Sequence, residues 1–471
     1  MKSQEKPKEE QIRNLEREVG GCFNCSVKTG SYQSLNERFF AGLYLLDHLL
    51  IFEPAESKFY QYAPSTGLWE FISDDRLIEL ISRHSSNHLD SLGMPRGLVS
   101  HCFARKVMLV LKGKCEERMF FQQIPAGYRV HCANGVLEYS PKEHSWRLRE
   151  FSPEDRSRNR TEIAYAPEAQ APEFLSKLLQ PAMNEEDIKL LQLYVGQCLL
   201  KDNIAQKFLI ISGTAGAGKS TLVNVIEQLI NPVNCTELRA EHMSGRFENS
   251  RFVGKTLLTG KDVKSNFLDT RGASMLKALT GKDTLTTEFK HSNERIDIVG
   301  NFNIIITSNA TLHVHLENDA AAWRRRILWI KYNNQPPEKP IENFDRFLIS
   351  AEGSGILNWF LDGAIQLLKQ GGKIHLSDTQ AQRVDELLED TDSVRLFVKE
   401  ELRLCPDITI SNKELWQRFC AYCVKREFEP IPQKQFFRML PDAIEQEYHV
   451  RMRHDIPRHG SKVRGYCGIA C

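Results

Sequence analysis

The sequence predicts a multi-domain α/β protein organised around a phosphate-binding core, and three stretches carry that prediction. Lys207 to Leu229 reads KFLIISGTAGAGKSTLVNVIEQL, an apolar strand that runs into a glycine-rich loop and then into an amphipathic helix. Arg251 to Val263 (RFVGKTLLTGKDV) and Phe302 to Thr307 (FNIIIT) are short apolar runs of the kind a buried parallel strand shows. The segments before and after them alternate helical and hairpin patterns, as separate flanking domains would.

Gly213, Gly218, Lys219 and Ser220 fill the fixed positions of GxxxxGK[ST], with a strand before and a helix after. Glycines let successive backbone N–H groups turn inward on phosphate oxygens, and the helix N-terminus adds partial positive charge. Gly213, Thr214, Ala215, Gly216, Ala217, Gly218, Lys219, Ser220 and Thr221 are therefore the candidate contacts of a nucleotide such as ATP. Lys219 is expected on the outer phosphates and Ser220 on Mg²⁺. A glycine turn that binds nothing is the bland alternative, and the strand and helix around the motif argue against it.

Composition bounds the rest. The chain has 471 residues, 41% of them hydrophobic, enough for two to four domains. Net charge is +1, so any nucleic-acid site must be a local patch rather than a global field. No basic start leads into an apolar segment and no apolar run is long enough to span a bilayer, so a cytoplasmic protein without membrane contact is expected. Twelve cysteines are scattered. Cys22/Cys25 and Cys420/Cys423 are CxxC pairs without a second local pair of ligands, which favours packing over zinc.

In order, residues 1 to 35 are mostly charged and polar and read as a frayed or helical tail. Residues 36 to 180 read as a small α+β domain, with a turn at Asn134-Gly135. An acidic, Leu-rich helix from Asn184 to Leu200 leads into the core, assigned to 181 to 370. Within it, the strand ending in Asp262 fits a carboxylate placed beside the loop hydroxyl to hold Mg²⁺. LTGKD recurs at Leu279 to Asp283, and Asp262 is preferred. Asn309, at the tip of the strand after Phe302, could sense phosphate or serve only as a cap. Arg324 to Arg326 precede a last apolar strand, Ile327 to Tyr332. Residues 371 to 392 (from HLSDTQAQRVDELLEDTD) read as a polar linker. Residues 393 to 471 read as helices at Ser393 to Glu401, Asn412 to Arg426 and Gln433 to Leu440, followed by two strands with a basic turn.

The order of these motifs resembles the superfamily III helicases of the AAA+ class, and within them the helicase module of phage, plasmid and poxvirus-type primase-helicases. NGVLEY at Asn134 to Tyr139, AYAPEAQAPEF at Ala164 to Phe174 and GILNWFLDGAIQLL at Gly355 to Leu368 extend the resemblance to the flanks. It implies an ATP- and Mg²⁺-dependent DNA helicase acting as a hexameric ring on single-stranded or forked DNA during replication of a mobile element. It also implies a metal-binding acid at Asp262, a sensor at Asn309 and an arginine finger at Arg326, with Arg325 as its rival. Lys290-His291 are the implied channel contacts with DNA. The C-terminal part is similar to a winged helix, in which Gln433, Lys434 and Arg438 would enter a groove, while Arg451, Arg453, Arg458, Lys462 and Arg464 would meet phosphates.

Two departures qualify the expectation. Many relatives carry a second acid where Lys261 stands, so the general base has no candidate. Only about 35 residues precede Asn36, so primer synthesis is not expected and a separate primase or replication initiator is an expected partner. An ATP-dependent initiator that remodels DNA without processive unwinding is the alternative. A P-loop kinase or GTPase is disfavoured, because TGKD carries its lysine one place too late for a guanine-reading [NT]KxD loop.

Overall fold

The computed structural model describes residues 8–26, 28–123, 126–239, 248–268, 275–288, 295–312, 320–335, 341–389, 393–426, 428, 430–458 and 461–471. The chain divides into one unit of Met1–Glu138 with Arg147–Arg160, and a second of Tyr139–Trp146 with Thr161–Cys471. Among the described residues no helix is long and apolar enough to cross a membrane.

The first unit opens with α1 (Lys8–Val19), β1 (Phe23–Cys25) and β2 (Tyr32–Leu35). The helical reading of residues 1 to 35 holds for α1, which ends just before Gly20, but the segment is packed on the unit rather than a free tail. Ile12, Leu15 and Val19 recur at helical spacing and join Leu35 against the buried side chains of the unit, so a mostly charged sequence still has one apolar stripe. Cys22 packs against the same cluster, and burial pushes its thiol above its ordinary pKa. Next come α2 (Glu37–Asp47), the antiparallel strands β3 (Leu50–Glu53), β4 (Lys58–Ala63) and β5 (Leu68–Ile72), then α3 (Asp74–Ser91) and α4 (His101–Lys114). Asn36 caps α2 by accepting from Arg38 N and Phe39 N. β6 (Arg129–Cys132), β7 (Gly135–Ser140) and β8 (Ser145–Arg149) follow, with Tyr139–Trp146 belonging to the second unit, and from Thr161 the chain stays in that unit. Cys132 pairs with Gly135, which puts the hairpin turn at Ala133 and Asn134, beside the expected Asn-Gly.

The second unit is a mixed α/β structure around a five-stranded, all-parallel sheet. Its elements are α5 (Glu185–Leu199), β9 (Phe208–Gly213), α6 (Lys219–Ile230), β10 (Cys235–Glu237), β11 (Leu257–Val263), α7 (Met275–Thr280), β12 (Thr284–Glu288), β13 (Arg295–Val299), β14 (Asn303–Ser308), α8 (Ala320–Arg326), β15 (Ile327–Tyr332) and α9 (Phe344–Lys369). Sheet order is β10-β11-β14-β9-β15. β14 is buried at every position and β9 at all but its last, as strands covered on both faces must be. Helices cover both faces, and α5 meets α9 through paired glycines. A Cβ on Gly196 would lie 2.3 Å from Ala364 N, and one on Gly363 would lie 2.0 Å from Gln192 O.

The stretch 371 to 392, read as a linker, carries α10 (Asp378–Glu389). Val384, Leu387 and Leu388 form its one apolar stripe and enter the core beside Phe208, Ile327 and Trp329. Beyond it lie α11 (Ser393–Glu401), β16 (Arg403–Ser411), α12 (Asn412–Lys425), α13 (Gln433–Tyr448), β17 (Arg453–Arg458) and β18 (Ser461–Ala470), with the three strands antiparallel in the order β16-β18-β17. Ser411 and Glu414 close a capping box on α12, whose Cys423 is a core residue. α13 outruns the expected end at Leu440. It continues through Pro441, and the buried Ala443 and Ile444 keep its later turns packed.

Candidate phosphate-binding site at the carboxyl edge of the parallel sheet

Because the sheet is parallel, the ends of β9, β11 and β14 meet at one edge, where ligands of open α/β sheets bind. β9 feeds the loop 213–218, and α6 starts at Lys219 with Gly218 as its N-cap. No side chain caps this end, so the first backbone N–H groups of a 12-residue helix face the loop. Gly213 is required by a close approach, since a Cβ there would lie 2.0 Å from Tyr332 O. Gly216 and Gly218 hold φ of 73° and 101°, which side chains resist.

Lys219 is 3% exposed, and its ammonium donates to Gly213 O, Thr214 O and Asn309 Oδ1, each at 2.8 Å. All three donors thus rest on oxygen atoms, the coordination a phosphate oxygen can share. Burial lowers the Lys219 pKa from its ordinary value, and the carboxylate of Asp262 opposes that shift. Asn309, at the end of β14, is thereby joined to the loop from the neighbouring strand.

Asp262 reaches the site through a bulge. Gly260 pairs with Ile306, and the next paired residues are Val263 and Ser308, so β11 spends one residue more than β14 over this span. Asp262 sits there in left-handed backbone, φ 49°, its N–H donating to Thr307 Oγ1 at 3.0 Å. Its Oδ2 accepts from Ser220 Oγ at 3.5 Å. A hydroxyl and a carboxylate so placed are a donor pair for a hard divalent cation. Asp283 of the repeated LTGKD follows α7 and leads into β12, away from this edge: Gly300 N, three residues before β14, donates to Asp283 O at 2.8 Å.

Lys261 turns the other way. Its ammonium donates to Asn224 Oδ1 at 2.9 Å and pairs with Glu227 Oε2 at 2.6 Å, both on α6. Glu227 Oε1 also accepts from Thr259 Oγ1 at 2.6 Å, and Asn224 donates to Asp345 Oδ2 at 3.0 Å. The lysine that stands for a second acid therefore neutralises an acid from the helix. Sequence reasoning missed Glu227; its signal is the seven-residue spacing from Ser220, two turns along the same face of α6. It also missed Tyr332, whose hydroxyl donates to Leu178 O at 3.1 Å beside Gly218.

The arginines occupy the opposite edge. Ile327 pairs with Phe208 and Tyr332 with Gly213, so Arg325 and Arg326 stand at the foot of β15, a full strand from the loop, roughly 15–20 Å. Arg326 is half-buried and donates to Ala322 O at 3.3 Å, with Gly281 and Asp283 nearby. Arg324 pairs with Asp385 of α10. Arg325 is exposed, and its guanidinium has no hydrogen bond or ion pair among the described residues.

Lys290 and His291 lie outside the described residues. They fall between β12 and β13, whose register runs from Thr284 against Val299 to Glu288 against Arg295. On α13, Lys434 and Arg438 are exposed one turn apart, opposite the buried Phe436 and Leu440. Lys462 and Arg464 on β18 are exposed. Arg458 is turned inward, donating to Thr409 Oγ1 at 2.9 Å and pairing with Glu414 Oε2 at 3.2 Å. Arg451 pairs with Glu445 and Arg453 with Asp455. Among the described residues no group of three or more His, Cys, Asp or Glu could hold a metal ion.

A family of unknown function, DUF5906, matches residues 211–326, the span from β9 to the end of α8. No curated protein matches the chain. Among solved structures the chain is similar to the A form apo structure of the NrS-1 C terminal region, at 13% identity and a TM-score of 0.46, over 91% of this chain and 98% of that one. A second structure of that region, CTR(305-718), is 14% identical with a TM-score of 0.47 over the same shares.

Proposed function

We propose that the chain is an ATP-hydrolysing motor of the superfamily III, AAA+ type that acts on DNA as a ring of identical copies, a helicase for replication of a mobile element. The observation that carries the reading is the division of the machinery between two edges of one sheet. Lys219, Ser220, Asp262 and Asn309 converge at the carboxyl edge, whereas the arginines stand at the amino edge, out of reach of the loop in the same copy. Such a site is completed only by a second copy.

ATP with Mg²⁺ supplies the phosphoanhydride bond to be cleaved and the cation that polarises it. The loop and the uncapped end of α6 cradle phosphate, and Lys219 gives its charge to the outer oxygens. Ser220 and Asp262 hold the cation. Asn309, already bonded to Lys219, sits where it can report on the terminal phosphate. Arg325 is the arginine offered to the neighbour, since Arg324 and Arg326 are engaged within their own copy. Lys290 and His291 supply grip on single-stranded DNA, and the winged helix of 393 to 471 adds contacts through Lys434, Arg438 and Lys462.

Lys219→Ala abolishes ATP turnover on this reading, and near-native turnover would refute it. Mixing Lys219→Ala with Arg325→Ala chains restores part of the activity, because hybrid contacts pair an intact loop with an intact arginine. The salt bridge of Lys261 to Glu227, in place of a second acid, favours an alternative in which hydrolysis drives remodelling by an initiator rather than processive unwinding. Strand displacement on a forked duplex separates the two.

A further inference from the structure

The turn that carries the three arginines is short, and adjacent like charges repel. α8 spans seven residues and its last three are Arg324, Arg325 and Arg326. Two groups from outside hold it. Lys207, at the entry to β9, donates its ammonium to Arg325 O at 2.6 Å, closing an otherwise open carbonyl at the helix end. Asp385 on α10 pairs with Arg324.

An exposed ion pair is ordinarily worth little, because both side chains must be ordered to form it. Here one partner is already fixed. α10 is seated in the core by Val384, Leu387 and Leu388, all 3% exposed or less. Arg383, two residues before Asp385, donates to both carboxylate oxygens of the buried Asp187 at 3.1 and 2.9 Å and to Trp329 O at 3.0 Å. Gln380 donates to the same carboxylate at 2.9 Å. Trp329 in turn donates from its indole to Ser212 Oγ at 2.7 Å, one residue before the glycine loop. One helix thus bonds to β15, whose Trp329 reaches the strand that feeds the loop, and to the turn that carries the arginines, and it is the last described element before the C-terminal helices and strands.

We propose that Asp385 is a positioning residue: by holding Arg324 on a core-anchored helix it fixes the turn that presents Arg325 to a second copy of this chain. This rests on the reading of the arginine turn as acting between copies. The residue touches no substrate, so its loss slows turnover without weakening nucleotide binding.

The test is Asp385→Asn in the full chain, read as ATP turnover. We expect kcat to fall by up to about a hundredfold, the scale of a catalytic group misplaced by about 1 Å, with KM for ATP and the melting temperature unchanged. The exchanged pair Asp385→Arg with Arg324→Asp recovers most of the loss. Mixing Asp385→Asn with Lys219→Ala chains also recovers turnover, because the Asp385→Asn copy keeps a sound loop and receives its arginine from a neighbour with an intact turn. Native kcat in Asp385→Asn, or a loss that neither charge exchange nor mixing recovers, overturns the proposal. If Lys219→Ala itself still hydrolyses ATP, the functional reading fails instead, and that control separates the two failures.

Discussion

Tyr194→Phe removes one oxygen atom and should loosen the strand that carries Asn309. Tyr194 is fully buried on α5, and its hydroxyl donates to Ile304 O at 2.7 Å and accepts from Ile304 N at 2.8 Å. β14 pairs with β9 only from Ile305 onward, so the hydroxyl extends that ladder by one rung. Phenylalanine leaves both backbone groups of a fully buried residue without this partner. At about 1–3 kcal/mol for each buried group left unmade, the loss is about 2–6 kcal/mol, a large part of a domain's typical net stability. A chain of two units need not melt in one step, so the assay is local: hydrogen exchange of the 300–308 segment with and without ATP. The Ile304 amide should exchange faster by two to four orders of magnitude, by the same conversion. Burial also raises the Tyr194 pKa well above 10.0, so the native fold holds this proton more tightly than the unfolded chain does. The stability from the neutral hydroxyl is present below the ordinary tyrosine range and is lost as pH rises through and above it. Tyr194→Phe should flatten that alkaline loss. Unchanged protection at Ile304 together with an unchanged alkaline limb would refute the reasoning.

Gly213→Ala should eliminate ATP binding, measured by nucleotide-induced thermal shift, since its Cβ would need Tyr332 O to retreat from 2.0 Å and so part β15 from β9. Glu248 is buried; burial alone would raise its carboxyl pKa, but Arg239 and Arg251 outweigh this and hold it below its ordinary value. The stability it contributes is therefore present above the ordinary glutamate range and lost as pH falls through it, and Glu248→Gln should flatten the acid limb of a melting-against-pH curve. Lys434→Ala and Arg438→Ala should each weaken DNA binding and make its log–log salt slope shallower by roughly 0.7–0.9, measured by fluorescence anisotropy. Lys290→Ala combined with His291→Ala should remove the stimulation of ATP turnover by single-stranded DNA.

The parts legible in the sequence were those whose signal is local. Asn184 and Leu200 bracket α5, whose cap is the Asn184 side chain accepting from Asp187 N. The apolar run at Phe208 is a strand, and Gly218-Lys219 opens a helix. The site residues Lys219, Ser220, Asp262 and Asn309 come together because parallel strands carry their ends to one edge, and the order of motifs already implies that. What was not legible depends on partners remote in sequence. Asp262 is aimed by a bulge that only the register with β14 reveals. Lys261 reads as a missing acid until Glu227 of α6 is seen beside it. Residues 371 to 392 read as a linker because three apolar residues in a polar stretch are a faint signal, and the anchors of α10, Asp187 and Trp329, lie far upstream. The helix from Gln433 reads as ending at Leu440 because the core packing of Ala443 and Ile444 that carries α13 further is a tertiary effect.

The placement of loop and arginines on opposite edges of one sheet also sets how copies would be counted. A contact that joins the front of one molecule to the back of the next is heterologous, and nothing in the contact itself limits its length. An open string of such copies always ends in one molecule whose loop faces solvent, whereas a closed circle has no such end. Turnover per molecule would then rise with assembly size and level off at closure, so a plot of specific activity against protein concentration would reveal whether the circle forms.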